Sequence, residues 1–295
     1  MAKRIMITGA SGLVGSHLLY LCSPDDAIGA YHHHRPDDAK YEYVRLDLED
    51  TEASKRLLRE LRPEICIHAA AKSNLDWCEK HPGTAWRINA EAPVALARAA
   101  RDIGCRYLFV STDMVFDGKK GNYGEDDPPH PINLYGRAKR AAEEGILQMY
   151  PDAVIARIAL VYGMPVAPGR GQSFLNWLLG ELRAGRTVSL FVDQYRTPVE
   201  VRECARALLE LALSDAAGVV HVAGAERIDR YTFGEYVAES FGLDRNLLKK
   251  ASVRDIRSAA PRPVDVSMTI SRLEHILGRR MITCRDGLRR IAMNQ

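Results

Sequence analysis

The stretch TGASGLVGSHL, from Thr8 to Leu18, follows a short apolar segment and precedes a helical pattern. Its glycines, Gly9, Gly12 and Gly15, stand three residues apart. At a turn from strand to helix, the first glycine permits the tight turn and the second lets a pyrophosphate approach the backbone. The third lets the helix pack closely on the sheet. Because free N–H groups at a helix start attract phosphate, the stretch predicts a dinucleotide site. An accidental glycine-rich turn is the alternative.

Strand-like and helix-like segments alternate outward from this stretch through the first half of the chain. Such alternation is typical of a parallel sheet with helices on both faces. The predicted strands are 3–8, 27–31, 64–68, 107–111 and 153–161, and the predicted helices are 17–22, 51–61, 92–103 and 136–149.

We therefore predict an α/β fold, a Rossmann-type doubly wound parallel sheet with a smaller C-terminal lobe. Residues 1–162 are expected to form the dinucleotide-binding domain and residues 163–295 the substrate-binding lobe. Residues 199–222 read as a helix and then a strand, so we expect them to fold back onto the sheet. The ligand site of such a sheet lies at the carboxyl ends of its strands.

The composition excludes several classes of protein. Of 295 residues, 46% are hydrophobic and 27% charged, which argues against disorder or a fibrous protein. Lysine and arginine number 41 against 38 acidic residues, so we expect no nucleic-acid partner. No apolar run approaches a membrane span and the start lacks a signal peptide's apolar region, so we expect a cytoplasmic protein without membrane contact. The six cysteines form no CxxC pair and no carboxylates cluster, so no metal site is predicted.

The end of the second predicted strand, AIGAYHHHRP (27–36), indicates which dinucleotide binds. It offers His32 and Arg35 but no acid for a ribose hydroxyl, which favours NADP(H), with NAD(H) as the alternative. Asp47 in LDLED (46–50) is predicted to bond the adenine amino group, unless the segment is only a surface helix cap in which Asp50 or Thr51 begins the next helix. The small residues of HAAAK (68–72) let a cofactor lie against the strand end. The cofactor contacts predicted from these patterns are Gly9, Ser11, Gly12, Leu13, Val14, Gly15, His32, Arg35, Asp47, Leu48, Ala69, Ala70 and Ala71.

The strongest chemical signal is Tyr135-Gly-Arg-Ala-Lys139, because residues four apart share one face of a helix. A nearby ammonium lowers the pKa of a tyrosine from about 10, so Tyr135 could pass a proton to a substrate oxygen. Ser111 and Thr112 end an apolar strand, and a hydroxyl at that place can bond a developing oxyanion.

These motifs together resemble the extended short-chain dehydrogenase/reductase superfamily. One branch, the dTDP-4-dehydrorhamnose reductase-like proteins, is resembled over nearly the whole chain. The same branch includes the regulatory β subunit of methionine adenosyltransferase, which is also similar. The segments that carry the resemblance are STDMVFDG (111–118), EDDPPHPINLYGRAK (125–139), DQYRTP (193–198), HVAG (221–224) and PRP (261–263).

The resemblance implies an NAD(P)H-dependent oxidoreductase of dTDP-rhamnose biosynthesis. NADPH would deliver hydride to C4 of a nucleotide-linked 4-keto-6-deoxy sugar, with Thr112 and Tyr135 on the keto oxygen and Tyr135 as proton donor. Lys139 would bond the nicotinamide ribose. Asn89 matches an asparagine that anchors a helix near the site, unless it caps that helix. Asn89, Ser111, Tyr135 and Lys139 complete the expected cofactor contacts, and a homodimer is the expected assembly.

Some positions depart from the reductases. Met114 stands where they often have tyrosine, and Arg196 where they often have glycine, whereas the methionine adenosyltransferase subunit resembles this chain there. Arg196 is predicted either to bind a substrate diphosphate or to form a surface ion pair. Phe174 stacks on sugar or packs in the core, and Asp76 caps a helix or contacts sugar. The predicted substrate contacts are Ser73, Met114, Phe174 and Arg196.

Two further functions therefore remain open. One is an epimerase or dehydratase on the same scaffold, for which an acid beside Thr112 is available in Asp113. The other is a regulatory subunit that holds NADP without turnover.

Overall fold

The structure, a computed structural model, describes residues 4–166, 171, 173–255 and 258–294. Its strands, numbered in chain order, are β1 Ile5–Thr8, β2 Ala27–Tyr31, β3 Glu42–Arg45, β4 Ile65–His68, β5 Arg106–Thr112, β6 Val154–Ile158, β7 Val161–Tyr162, β8 Val188–Phe191, β9 Tyr195–Arg196, β10 Val199–Glu200, β11 Gly218–Val222, β12 Ile228–Asp229 and β13 Leu248–Ala251.

The helices lie between these strands. They are α1 Leu13–Leu21, α2 Thr51–Leu61, α3 Leu75–Lys80, α4 Pro82–Trp86, α5 Ala92–Asp102, α6 Leu134–Met149, α7 Phe174–Arg183, α8 Val201–Leu213, α9 Arg230–Phe241, α10 Ser271–Leu277 and α11 Cys284–Met293, and a π-helical turn, Arg87–Glu91, joins α4 to α5.

A seven-stranded sheet in the order β11-β6-β5-β4-β1-β2-β3 forms the centre of the molecule. Each neighbouring pair in it runs parallel. The chain builds outward from β1 in one direction and from β4 in the other, so the order reverses between β1 and β4. A crevice opens at the carboxyl ends of the strands at such a reversal, which is where ligands bind in this architecture. The predicted doubly wound α/β fold is confirmed.

Apolar side chains cover both faces of the sheet. Ile5 and Ile7 of β1 pack on the face covered by α1 and α8, whereas Met6 packs on the face covered by α2, α5 and α6. This alternation follows from the two-residue period of a strand. A separate apolar cluster joins α7, α9 and α11 to the small parallel pair of β8 and β13.

Residues 201–222 lie on the large sheet, and Val199 and Glu200 pair with β7 outside it. α8 packs on the same face as α1, and β11 pairs in parallel with β6, with Val220 opposite Ala156. The division of the chain at residue 162 stays a prediction.

The structure differs from the sequence predictions where tertiary contacts decide an element. α1 begins at Leu13 rather than at His17, because its glycine-rich first turn packs against the loop that follows β1. The predicted strand 153–161 breaks after Ile158, and Val161 pairs with Val199 in β10 outside the large sheet. Within the described ranges, no helix is long and apolar enough to cross a membrane.

Candidate active site

The glycine loop has the geometry that its spacing predicts. Gly9 has a φ of +70°, and a Cβ there would come within 2.9 Å of the Ala70 backbone. A Cβ on Gly15 would collide with the carbonyl of Gly9, so the helix can lie this close only with glycine. Gly12 precedes α1 without a side-chain cap, and the first turn of α1, all of it described, has no acidic residue. Its N–H groups and dipole therefore suit a phosphate.

A cleft of about 420 Å³ opens beside this loop at the ends of β1, β2 and β4. Trp77, Ile88 and Lys72 line its wall, and sequence reasoning missed all three because they belong to the segment after β4. The predicted cofactor residues that line the cleft are Gly9, Ser11, Gly12, His32, Asp47, Leu48, Ala69, Ala70 and Ala71.

Other predicted cofactor residues lie outside this cleft. Gly15 and Val14 lie within α1, and the amide of Leu13 faces Gly171, where a Cβ would come within 2.6 Å of it. Arg35 is exposed in the loop after β2. Of the two residues predicted beside the ribose, His32 lines the cleft, and Arg35 stays a prediction.

His32 and Asp47 face each other across the outer end of the cleft. His32 Nε2 lies 3.4 Å from Asp47 Oδ2, and the His33 ring stacks on His32 at 3.7 Å between centroids. Asp47 Oδ1 accepts a hydrogen bond from the Glu49 amide at 2.9 Å. Asp50 caps α2 and accepts from the Ala53 amide at 2.8 Å, so the helix cap expected in this segment is present, while Asp47 lines the cleft.

Asn89 holds the loop that follows β4. Its side chain accepts from the Lys72 amide at 2.9 Å and donates to the Lys72 carbonyl at 3.0 Å. Asn89 is buried within the π-helical turn, so the alternative that it caps a helix is wrong. Its polar atoms face Lys72, so the structure places Asn89 behind the cleft rather than in it.

Thr112 and Tyr135 meet where β5 ends. The N-cap Asn133 accepts from the Gly136 amide at 2.9 Å and so fixes Tyr135 in the first turn of α6. Burial and the Asp113 carboxyl raise the pKa of Tyr135, and a side-chain hydrogen bond with Thr112 opposes the rise. The raised pKa keeps the phenol protonated, as a proton donor requires.

Lys139 does not lower the pKa of Tyr135 as predicted. Its ammonium donates to the Val110 carbonyl at 2.7 Å and lies 3.8 Å from the centroid of the Phe109 ring. The side chain thus turns toward β5, although four-residue spacing puts both residues on one helix face. Burial lowers the pKa of Lys139 to about 7, and the Glu143 carboxylate opposes this.

Ser111 also differs from its prediction. Its hydroxyl donates to Glu143, which forms a buried ion pair with Arg157 at 2.7 Å. The hydroxyl therefore helps to hold α6 on β5 and β6. Its hydrogen is donated to Glu143 and not to a ligand in the cleft.

A second pocket, of about 610 Å³, lies between α3 and the C-terminal part of the chain. Met114 and Arg196 line it, as predicted for substrate contacts. Ser73 is exposed and lies outside it, and Phe174 packs on Trp177 and Phe233, with ring centroids 5.5 and 5.4 Å away.

Arg196 is not a surface residue, and its two terminal nitrogens are not free to bind a diphosphate. It is 2% exposed, and its two terminal nitrogens donate to the carbonyls of Tyr195, Pro263 and Val264. Its Nε lies 3.9 Å from Asp113 Oδ2. The predicted surface ion pair is therefore wrong, and both terminal nitrogens, which a diphosphate would use, already donate to backbone carbonyls.

Asp76 joins the pocket wall to the C-terminal segment. It pairs with Arg262 at 2.7 Å and accepts from the Ala260 amide at 2.9 Å. The cap of α3 is Asn74, so the prediction that Asp76 caps a helix is wrong.

Arg196 and Arg230 of the pocket wall, and Asp113 next to Arg196, carry unsatisfied polar atoms. Asp113 Oδ2, Arg196 Nε and Arg230 Nη1 are buried without a hydrogen-bond partner among the described residues. Buried polar groups are normally paired, so such atoms indicate a site for a polar ligand. Arg230 lies far from the other site residues in sequence, and no local pattern could have identified it.

The fold and this site define an NAD(P)H-dependent oxidoreductase of the extended short-chain dehydrogenase/reductase type. The profile described as the RmlD substrate binding domain matches residues 3–295. The chain belongs to this family.

The proteins similar to this chain include reductases and a subunit of methionine adenosyltransferase. A probable low-salt glycan biosynthesis reductase, Agl14, of Haloferax volcanii is 35% identical over 96% of this chain and 95% of its own. Methionine adenosyltransferase 2 subunit beta of Danio rerio is 30% identical over 92% of this chain and 84% of its own. A crystal structure of dTDP-4-dehydrorhamnose reductase from Bacillus anthracis str. Ames in complex with NADP is 25% identical and covers both chains fully, with a TM-score of 0.87.

Proposed function

We propose that the protein reduces a nucleotide-linked 4-keto-6-deoxy sugar with NADPH, with dTDP-4-dehydrorhamnose as the first candidate substrate. The observation that carries this proposal is the position of Tyr135 between the two cavities. Tyr135 packs in one cluster with Trp77, which lines the cofactor cleft, and with Met114, which lines the second pocket. The hydrogen bond between Tyr135 and Thr112 brings two hydroxyls to this junction. We propose that this reaction takes place in the cytoplasm.

The residues present fit a dinucleotide. The glycine loop leaves space that a Cβ would fill, and the start of α1 suits a pyrophosphate. Bound NADPH would supply hydride to C4 of the sugar. Thr112 and Tyr135 would hold the keto oxygen, and Tyr135 would pass its proton to that oxygen as negative charge develops there. Lys139 of α6, whose ammonium lies beside Val110 of β5, would bind the ribose.

The second pocket supports a sugar nucleotide as the substrate class. Its unpaired carboxylate oxygen and guanidinium nitrogens match the hydroxyls of a sugar, which both donate and accept. Arg230 and Arg262 bring positive charge to the same pocket, which favours a diphosphate. The names of the Haloferax and Bacillus relatives support reduction as the reaction.

The test follows NADPH absorbance with dTDP-4-keto-6-deoxyglucose, with and without a 3,5-epimerase. Oxidation only with the epimerase present would identify the epimerised ketone, dTDP-4-dehydrorhamnose, as the substrate. Oxidation without it would identify the unepimerised ketone. Absence of oxidation in both mixtures, with NADPH binding shown by titration, would contradict the proposal.

The second candidate is an NADP-binding regulatory subunit, because the chain is 30% identical to methionine adenosyltransferase 2 subunit beta. This candidate predicts NADPH binding without turnover of either ketone and binding to a methionine adenosyltransferase catalytic subunit. Size-exclusion chromatography with that subunit separates the two candidates, and the chain alone tests the expected homodimer.

A further inference from the structure

The hydroxyl of Thr112 donates its one hydrogen within the protein. It donates to Asp113 Oδ1 at 3.2 Å and accepts from the Met114 amide at 3.2 Å. It also shares the hydrogen bond with Tyr135. A threonine hydroxyl has one hydrogen, so the bond to Asp113 leaves Thr112 no hydrogen for another acceptor.

This arrangement limits what Thr112 can do for a substrate. While Asp113 is ionised, its carboxylate can only accept, and the one hydrogen of Thr112 points to it. Thr112 then has no hydrogen for a keto oxygen. If Asp113 carries a proton, it can donate to Thr112, whose own hydrogen becomes free. Tyr135 and Thr112 could then both donate to the same oxygen.

The surroundings of Asp113 determine the pH at which its carboxyl takes up this proton. Asp113 is 3% exposed, and its Oδ2 has no hydrogen-bond partner among the described residues. It faces Arg196 of β9, Arg230 of α9 and Tyr135 of α6, besides Thr112 of β5. Burial raises the pKa of Asp113 to about 6, although both arginines and the Thr112 hydrogen bond lower it.

We propose that Asp113 is a positioning residue that sets whether Thr112 donates its hydrogen to the protein or to the substrate. This inference rests on the proposed function. Its ionised form engages the hydrogen of Thr112, and its protonated form releases it. Turnover therefore falls as the pH rises through the titration of Asp113.

The main test compares the pH profile of kcat for the wild type and Asp113→Asn. The asparagine amide can donate to Thr112 at every pH, as protonated aspartate does. We expect wild-type kcat to fall about twentyfold from pH 5.5 to 7.5, from titration near pH 6, and Asp113→Asn to stay flat within about threefold. Asp117→Asn is the matched control, because Asp117 bonds Tyr123 away from the pocket, and its profile should follow the wild type.

An Asp113→Asn profile with the wild-type inflection would overturn the inference. If that variant does not fold, Thr112→Val supplies the same test, because valine has no hydroxyl to direct. Its residual turnover should lack the inflection, and an inflection that persists would equally contradict the role of Asp113.

A second measurement needs no substrate and so separates this inference from the proposed function. Infrared difference spectra of the holoprotein would follow the carbonyl stretch of a protonated carboxyl during a pH titration. Because the Thr112 hydrogen bond lowers the pKa of Asp113, Thr112→Val should move the midpoint to higher pH. A midpoint that does not move would show that Thr112 and Asp113 are not coupled, whether or not any ketone is reduced.

Discussion

Tyr135 illustrates how far a single residue can be understood from sequence. The spacing of Tyr135 and Lys139 placed both on α6, and Thr112 was correctly expected at the end of β5. The direction of the Lys139 side chain could not be read from spacing, because the Val110 carbonyl and the Phe109 ring attract it from another element. The raised pKa of Tyr135 depends on burial and on Asp113, neither of which a helical pattern reveals.

Tyr135→Phe tests the proton donor directly. The ring still fills its place between Trp77 and Met114, so we expect the NADPH dissociation constant to change less than about twofold. The loss of the hydroxyl should lower kcat at least ~100-fold, the usual contribution of a general acid. Stopped-flow NADPH oxidation and fluorescence titration measure the two quantities. Turnover equal to the wild type would contradict the role of Tyr135.

At the level of elements, the sequence predicted those with a clear pattern and missed those that depend on contacts. Ala27–Tyr31 and Thr51–Leu61 occur with the predicted bounds, because apolar periodicity and local signals define them. The helices between Leu75 and Glu91 had no such pattern, although Trp77 and Ile88 line the cofactor cleft. Asn89 was identified only through the resemblance.

Asn89→Ala tests how the helical segment supports the cleft. Without the amide, the Lys72 N–H and carbonyl lose a buried partner each, and the loop that carries Ala69, Ala70 and Ala71 is released. Unpaired buried groups cost about 1–3 kcal/mol, so we expect the NADPH dissociation constant to rise about tenfold or more. Isothermal titration calorimetry measures it.

Thr283→Ala is the control for this prediction. Thr283 caps α11, whose residues line neither the cofactor cleft nor the second pocket, so its loss should cost about 1 kcal/mol of stability and leave NADPH binding unchanged. If both variants bound NADPH as the wild type does, the position of the loop would not depend on Asn89.

At the level of the whole molecule, charged groups from distant parts of the chain meet in the interior. Asp113 faces Arg196 and Arg230, and Glu143 pairs with Arg157. No window of sequence contains these pairs, so composition and motifs could not predict them, whereas the alternation of strands and helices did predict the sheet that brings them together. The same burial makes the stability of the protein depend on pH.

Two histidines of the large sheet dominate this dependence on the acid side. Burial lowers the pKa of His68 in β4 and of His221 in β11 to about 3, from an ordinary value of 6.5. Their full contribution to stability is present above pH 6.5 and is lost as the pH falls toward 3, because the unfolded chain takes up their protons first. Asp113 offsets the effect of one histidine between pH 6 and 3.8, because the folded protein takes up a proton on Asp113 before the unfolded chain does.

His221→Gln should therefore flatten the curve of unfolding free energy against pH. One histidine contributes up to about 1.4 kcal/mol per pH unit to the slope of this curve. Between pH 6 and 4, the unfolding free energy of the variant should therefore fall less steeply than that of the wild type, by about that amount per pH unit. Urea denaturation at pH 7.5, 6 and 4.5 measures the difference. His275→Gln is the control, because His275 is exposed on α10, and its curve should run parallel to the wild type. A parallel curve for His221→Gln would show that protonation of this histidine does not differ between the folded and unfolded states.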